Sequence, residues 1–151
     1  MSKRLKQAAV VVVIAFAAAQ LYSPDRTNPP IDQTRTLAAH APPAPSGAPG
    51  GLAAVVSRSC GDCHSNATTW PWYAKIAPLS WAMAYGVRAG RKAVNFSEWA
   101  GYSAEQQRAL LEKSCSAASH GTMPDGVWTT LHPDARLSTQ DVATICEAAK
   151  P

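Results

Sequence analysis

Across its 151 residues the chain sets 14 Lys and Arg against 10 Asp and Glu, a formal net charge of +4. Three of the positive charges, Lys3, Arg4 and Lys6, lie within the first 19 residues, so the remainder carries only +1 and lacks the basic footprint of a nucleic-acid binder. From Leu52 to Pro151 nine Lys and Arg are interspersed with eight Asp and Glu, the pattern of an ordinary solvated surface around one small core.

The basic start leads into an apolar run from Ala8 to Ala19, the layout of a secretory signal, and Ala17-Ala18-Ala19 offers small residues for cleavage before Gln20. The run is shorter than the ~20 residues that span a bilayer comfortably, and extending it through Leu21 and Tyr22 gives a thin uncleaved anchor. Residues 1–22 therefore read as a signal peptide or membrane anchor. In both cases the bulk of the chain is expected outside the cytoplasm, periplasmic or tethered to the inner membrane. Residues 23–50 follow, with Asn28-Pro29-Pro30 and Ala41-Pro42-Pro43-Ala44-Pro45, and read as a Pro-rich linker whose second half is semi-rigid and extended. His40 is expected to be solvated there. No internal repeat is visible, and residues 51–151 remain as one folded domain.

Leu52, Val55, Val56 and Ser59 recur at helical spacing and lead straight into Cys60-Gly61-Asp62-Cys63-His64. A C-x-x-C-H run is the signature of covalent c-type haem attachment. Two thiols on a helical turn can reach both vinyl groups of one porphyrin, and the adjacent imidazole then falls beneath the iron. Other readings exist. A thioredoxin-like redox pair wants a strand-helix-strand context that the chain does not display. A structural zinc site wants a second, similarly spaced pair, whereas Cys115 and Cys146 stand far apart. Coincidence is the third, and the export signal argues against it, because haem c is attached outside the cytoplasm in bacteria.

Further helices are expected from Leu79 to about Lys92, after Pro78, and from the capping box Ser103-Ala104-Glu105-Gln106 to near Gly121. A last helix is capped by Ser138 and carries Val142, Ile145, Cys146 and Ala149 on one face. Nothing alternates well enough to be a strand, so the fold class is all-α. Trp70-Pro71-Trp72-Tyr73 and Trp128 offer large rings to wall a porphyrin, while Trp81 and Trp99 read as ordinary core and Met83 as buried filler. Arg88, Arg91 and Lys92 can meet propionates or an acidic partner, or form a solvated face.

For the sixth iron ligand Met123 stands out, in a polar Gly-Thr-Met-Pro-Asp loop beside Pro124. His120 and His132 are its rivals, and bis-His ligation would lower the potential. Cys115 and Cys146 lie on apolar faces of two separate helices, and in an exported protein such a pair is expected to oxidise to a disulfide. Two buried free thiols are the alternative.

The blocks Cys60–Asn66, Thr69–Tyr73, Ile76–Pro78, Asn95–Trp99 and Met123-Pro124 through Leu131–Ser138 together resemble the bacterial haem-binding domain family of small monohaem c-type cytochromes. The likeness runs from about Leu52 to Ile145, and Thr27-Asn28-Pro29-Pro30 is also similar to such proteins. It implies one haem c bound through Cys60 and Cys63, His64 as proximal ligand and Met123 as distal ligand, in a cytochrome-c-like helical domain. The Cys115/Cys146 pair is not part of that pattern. The expected role is a single-electron carrier between periplasmic or membrane redox proteins, with no substrate transformed. A haem peroxidase or gas sensor with an open or labile sixth site is the alternative, and a haem module docked in a larger respiratory complex a third.

Overall fold

The computed structural model describes residues 2–41 and 51–150, and among them every regular element is helical. Helix α1, Lys3–Ala19, is capped by Ser2 and carries no buried residue. No described helix is long and apolar enough to cross a membrane.

Residues 23–41 correct the linker expectation. They are a strap laid over the domain, tied by the Arg26 guanidinium donating to the Ala74 carbonyl (2.6 Å) and the Asn28 amide donating to the Thr68 carbonyl (2.8 Å). Asn66 Nδ2 in turn donates to the Pro30 carbonyl. The strap ends in a short helix α2, Leu37–His40, whose Leu37 is 3 % exposed within the main core. The folded unit thus begins well before Gly51. His40 stays at the surface, its Nε2 donating to the Thr34 carbonyl. The remainder of the expected linker, 42–50, lies outside the described residues.

Helix α3, Gly51–Ser59, buries Leu52, Val55, Val56 and Ser59, so the helical period of its apolar residues became its inner face. Leu52, Val55 and Val56 join Leu37, Val94, Phe96, Trp99 and Ile145 in the larger core cluster. Helix α4, Gly61–His64, continues the chain after Cys60 and packs on α5, Leu79–Ala93. Helix α6, Ala104–Ser119, opens on the reciprocal Ser103/Gln106 capping box and lies against the last helix, α8, Thr139–Ala148. A one-and-a-half-turn helix α7, Gly126–Leu131, capped by Asp125, was not foreseen; nothing periodic marks so short an element.

Helix α8 also fixes the approach of α3 to the motif. Its capping box pairs Ser138 with Asp141, and the Asp141 carboxylate accepts from Arg58, two residues before Cys60, at 2.8 Å. Burial pushes the Asp141 carboxyl up, but hydrogen bonds from Ser138 and Arg58 outweigh it and hold its pKa below the usual value. A carboxyl depressed in the fold stabilises at pH above its unfolded pKa of ~3.9, and that contribution is lost as pH falls through the folded value. Asp141→Asn is therefore expected to cost ~1 kcal/mol at neutral pH. The deficit should shrink below the unfolded carboxylate pKa, where only the parent loses stability, as denaturant unfolding at both pH values will read.

Candidate functional site

The five residues Cys60–His64 fold as one helical turn directly after α3, with the Cys63 and His64 N–H groups donating to the Cys60 carbonyl. Cys60 and Cys63 are both free thiols and both half-buried. Burial, chiefly, pushes the Cys60 thiol up to about 11, with Cys63 adding to it. The Cys63 thiol is also raised, by burial and then by Asp62 and Asp125. A disulfide oxidoreductase lowers the pKa of its attacking cysteine, so this pair lacks the electrostatics of a redox-active C-x-x-C. Nor do three His, Cys, Asp or Glu side chains converge anywhere among the described residues, as a zinc centre would need.

His64 is held by its neighbours. Its Nδ1–H donates to the Val94 carbonyl at 3.3 Å, which fixes the tautomer and leaves Nε2 with no hydrogen-bond partner among the described residues. Burial lowers its pKa, opposed by the Val94 and Gly90 carbonyls. A neutral imidazole with one nitrogen tethered to a backbone carbonyl and the other free is the form that ligates a metal.

Polar side chains brace the loop that follows. Ser65 Oγ donates to the Gly61 carbonyl, Thr68 Oγ1 to the Asp62 carbonyl, and Asp62 Oδ1 accepts from the Thr69 N–H. Arg91, expected at a propionate or on a charged face, instead clamps this loop to the strap. It donates to the Ser65 and Thr27 carbonyls, to Asn28 Oδ1 and to Thr68 Oγ1. Arg88 and Lys92 beside it are exposed.

On the far side of Cys63 lies a second, smaller apolar cluster of Ala74, Met83 and Val87, edged by Cys63, Trp70 and Trp128. Trp70 Nε1 is buried there without a hydrogen-bond partner. A buried indole N–H is ordinarily satisfied, so an unpaired one beside the motif marks a place for an acceptor that the polypeptide does not supply. Two free thiols, an imidazole with a free Nε2, an apolar wall and an orphaned donor together fit a haem. The aromatic expectations divide: Trp99 is core as foreseen, but Trp72 is 74 % exposed and walls nothing, and Trp81 lies at the surface. Trp70, one of the rings expected to wall a porphyrin, does lie at the site. Gly90 was not anticipated there, because it has no side chain to notice.

The sixth-ligand candidates occupy different surroundings. Helix α6 ends at His120, and Gly121, at φ +64°, turns the chain; its N–H donates to the Ala118 carbonyl and the Thr122 N–H to that of Ala117. The Met123 N–H also reaches the Ala117 carbonyl, so the end of α6 sets where Met123 stands. Met123 is half-exposed. His120 Nδ1 is spent on the Ser116 carbonyl at 2.7 Å. His132 stacks on Trp128 with centroids 3.8 Å apart, and its Nε2 lies 2.6 Å from Tyr73 Oη. Cys115 and Cys146 are joined as a disulfide between α6 and α8, with Cα atoms 4.7 Å apart. A cavity lined by Val55, Arg58, Asp134 and Asp141 opens on the α3/α8 side and involves none of these ligand candidates.

No curated protein and no solved structure matches the chain. A family model described as Haem-binding domain matches residues 14–150, taking in the strap and the whole helical body. The chain belongs to that haem-binding domain family, which gives it a haem cofactor.

Proposed function

We propose that the chain is an exported monohaem c-type cytochrome that passes single electrons between redox proteins of the periplasm or inner membrane. Cys60 and Cys63 would bind the haem as thioethers, His64 would ligate the iron through Nε2, and Met123 would fill the sixth position. The bound group supplies a one-electron ferrous/ferric couple. The polypeptide's part is to position and insulate. The Val94 carbonyl orients the His64 ring, the Ala74, Met83 and Val87 cluster keeps water from one side of the motif, and Trp70 Nε1 offers a donor to a propionate.

The observation that carries this reading is the turn itself. Two unbridged, protonated thiols and one imidazole with a free Nε2 stand together beside an unsatisfied indole. For Met123 the support is that its thioether is uncommitted, whereas the His132 Nε2 is engaged by Tyr73 Oη. His120, with Nδ1 on the Ser116 carbonyl, keeps an Nε2 without a partner among the described residues, as His64 does, and stays the rival ligand.

One observation favours a second reading. The Tyr73–His132 contact, stacked on Trp128 at the edge of the cluster that also meets Cys63, is a polar pair of the kind a haem peroxidase or gas sensor uses opposite an open iron site. The reduced spectrum of protein matured with haem-attachment machinery, before and after carbon monoxide, separates the two. A low-spin c-type spectrum unmoved by the gas is expected, with Met123→Ala converting it to a high-spin, gas-binding form of lower potential. A parent spectrum that shifts on the gas brings the peroxidase or sensor reading forward, and a low-spin Met123→Ala spectrum identical to the parent removes Met123 in favour of His120 or His132 as the sixth ligand.

A further inference from the structure

Helix α1 and the domain are joined without slack. Gln20, the first residue past the helix, pairs its side-chain amide with both backbone groups of Ala77: Nε2 donates to the carbonyl at 3.3 Å, and the Ala77 N–H donates to Oε1 at 3.0 Å. Two residues on, the Tyr22 carbonyl accepts from Trp81 Nε1 at 3.1 Å, and the two rings meet edge to face. Around this joint the surface is apolar and uncovered. Leu21, Tyr22, Ile76, Leu79, Trp81 and Tyr85 are all exposed, Leu21 by 88 % and Tyr85 by 70 %.

Helix α1 is itself apolar all round. Val10 to Ile14 are each more than half exposed on consecutive positions, so no stripe faces the domain and no polar face is left for water. Such a helix needs an apolar medium on every side. Its charges, Lys3, Arg4 and Lys6, sit together at the far end, as the cytoplasmic end of an inserted segment does.

We propose that the rim formed by Tyr22, Ile76, Leu79, Trp81 and Tyr85 rests on the lipid bilayer that holds a retained α1, so that the domain lies against the membrane surface. Length supplies the argument that lipid is the occupant. The 17 residues of α1 rise ~26 Å at 1.5 Å per residue, short of the ~30 Å hydrocarbon layer. A short apolar helix is accommodated by thinning the bilayer and drawing its flanking residues into the interface. Here the flank is Gln20 to Tyr22, pinned to Ala77 and Trp81, so whatever draws the flank in draws the rim with it. Tyr and Trp are the residues whose rings settle at headgroup level. The proposal rests on reading α1 as an inserted segment and is independent of which ligands the iron takes.

The test uses the full-length, haem-loaded protein in liposomes of phosphatidylethanolamine and phosphatidylglycerol carrying a phospholipid with a photoactivatable diazirine near the glycerol. After irradiation and tryptic digestion, lipid adducts are expected on α1 and also on the peptide 76–88, with none on the α6 peptide 109–113. The double variant Trp81→Ser/Tyr85→Ser should lose the 76–88 adducts, keep those on α1 and retain the parent haem spectrum. If the variant fails to fold, the parent labelling pattern alone decides. Adducts confined to α1 overturn the proposal. So does an intact mass of the native protein that begins at Gln20, because no inserted helix then remains. A preparation without covalent haem would refute the c-type reading while leaving the labelling result to stand by itself.

Discussion

Removing the Cys115–Cys146 bond as Cys115→Ser/Cys146→Ser is expected to lower the unfolding free energy by ~3–4 kcal/mol, the loop-closure entropy of a link of this span. The two cysteines are 31 positions apart, and α6 and α8, which they join, form the most extensive helix pair of the fold. For a domain of this size the loss corresponds to a fall in Tm on the order of 15–25 °C. The position of the bond adds a second, more local expectation. The loop it closes contains Met123, α7 and His132, whereas Cys60 to His64 lie outside it. Loosening that loop should leave haem attachment intact while making any Met123 ligation labile, so carbon monoxide binding should rise in the variant at temperatures where it is still folded. Thermal unfolding followed in the far ultraviolet and in the haem bands reads both. A Tm within ~2 °C of the parent would mean that α6–α8 packing alone fixes the pair and that the link adds almost nothing.

What could be read in the sequence was whatever repeats locally. The spacing of Leu52, Val55, Val56 and Ser59 gave the buried face of α3, and the Ser103/Gln106 and Ser138 caps marked the starts of α6 and α8, because caps act within one turn. Gly121 marked the end of α6 for the same reason. The strap could not be read this way. Its composition is that of a tether, and what folds it is a set of hydrogen bonds to partners tens of residues away, Asn28 to Thr68 and Arg91 to Thr27 among them. Trp81 was misassigned on the same ground. Its indole is matched by the Tyr22 carbonyl, 59 positions back, and that contact leaves the ring at the surface. At the site, the chemistry of Cys60, Cys63 and His64 is explicit in their spacing. Which group holds the His64 ring is not, since the Val94 carbonyl becomes visible as a site feature only once α5 has been laid against α4.

Gly90 is where that packing is most exacting, and Gly90→Ala is the second large expected effect. Both Gly86 and Gly90 lie inside α5, where glycine costs roughly 0.5–1 kcal/mol relative to alanine. At Gly86 an added Cβ would meet nothing within 4 Å, so Gly86→Ala should be neutral or stabilising by up to ~1 kcal/mol. At Gly90 the same atom would lie 2.4 Å from the Cys63 carbonyl oxygen and 2.9 Å from its carbonyl carbon. Those are backbone atoms of the attachment turn, which cannot swing aside as a side chain can. Helix α5 must therefore back away, at a cost of ~1–3 kcal/mol or more for a clash of this kind. Backing away also withdraws the Val94 carbonyl from His64, the group that keeps its ring oriented. The expected outcome is a lower yield of haem-loaded protein, a lower Tm, and a reduced spectrum shifted from the parent's, with Gly86→Ala unchanged in all of these. Equal stabilities for the two alanine variants would show that the α4–α5 contact yields easily, and the close approach of α5 would then have no part in holding His64.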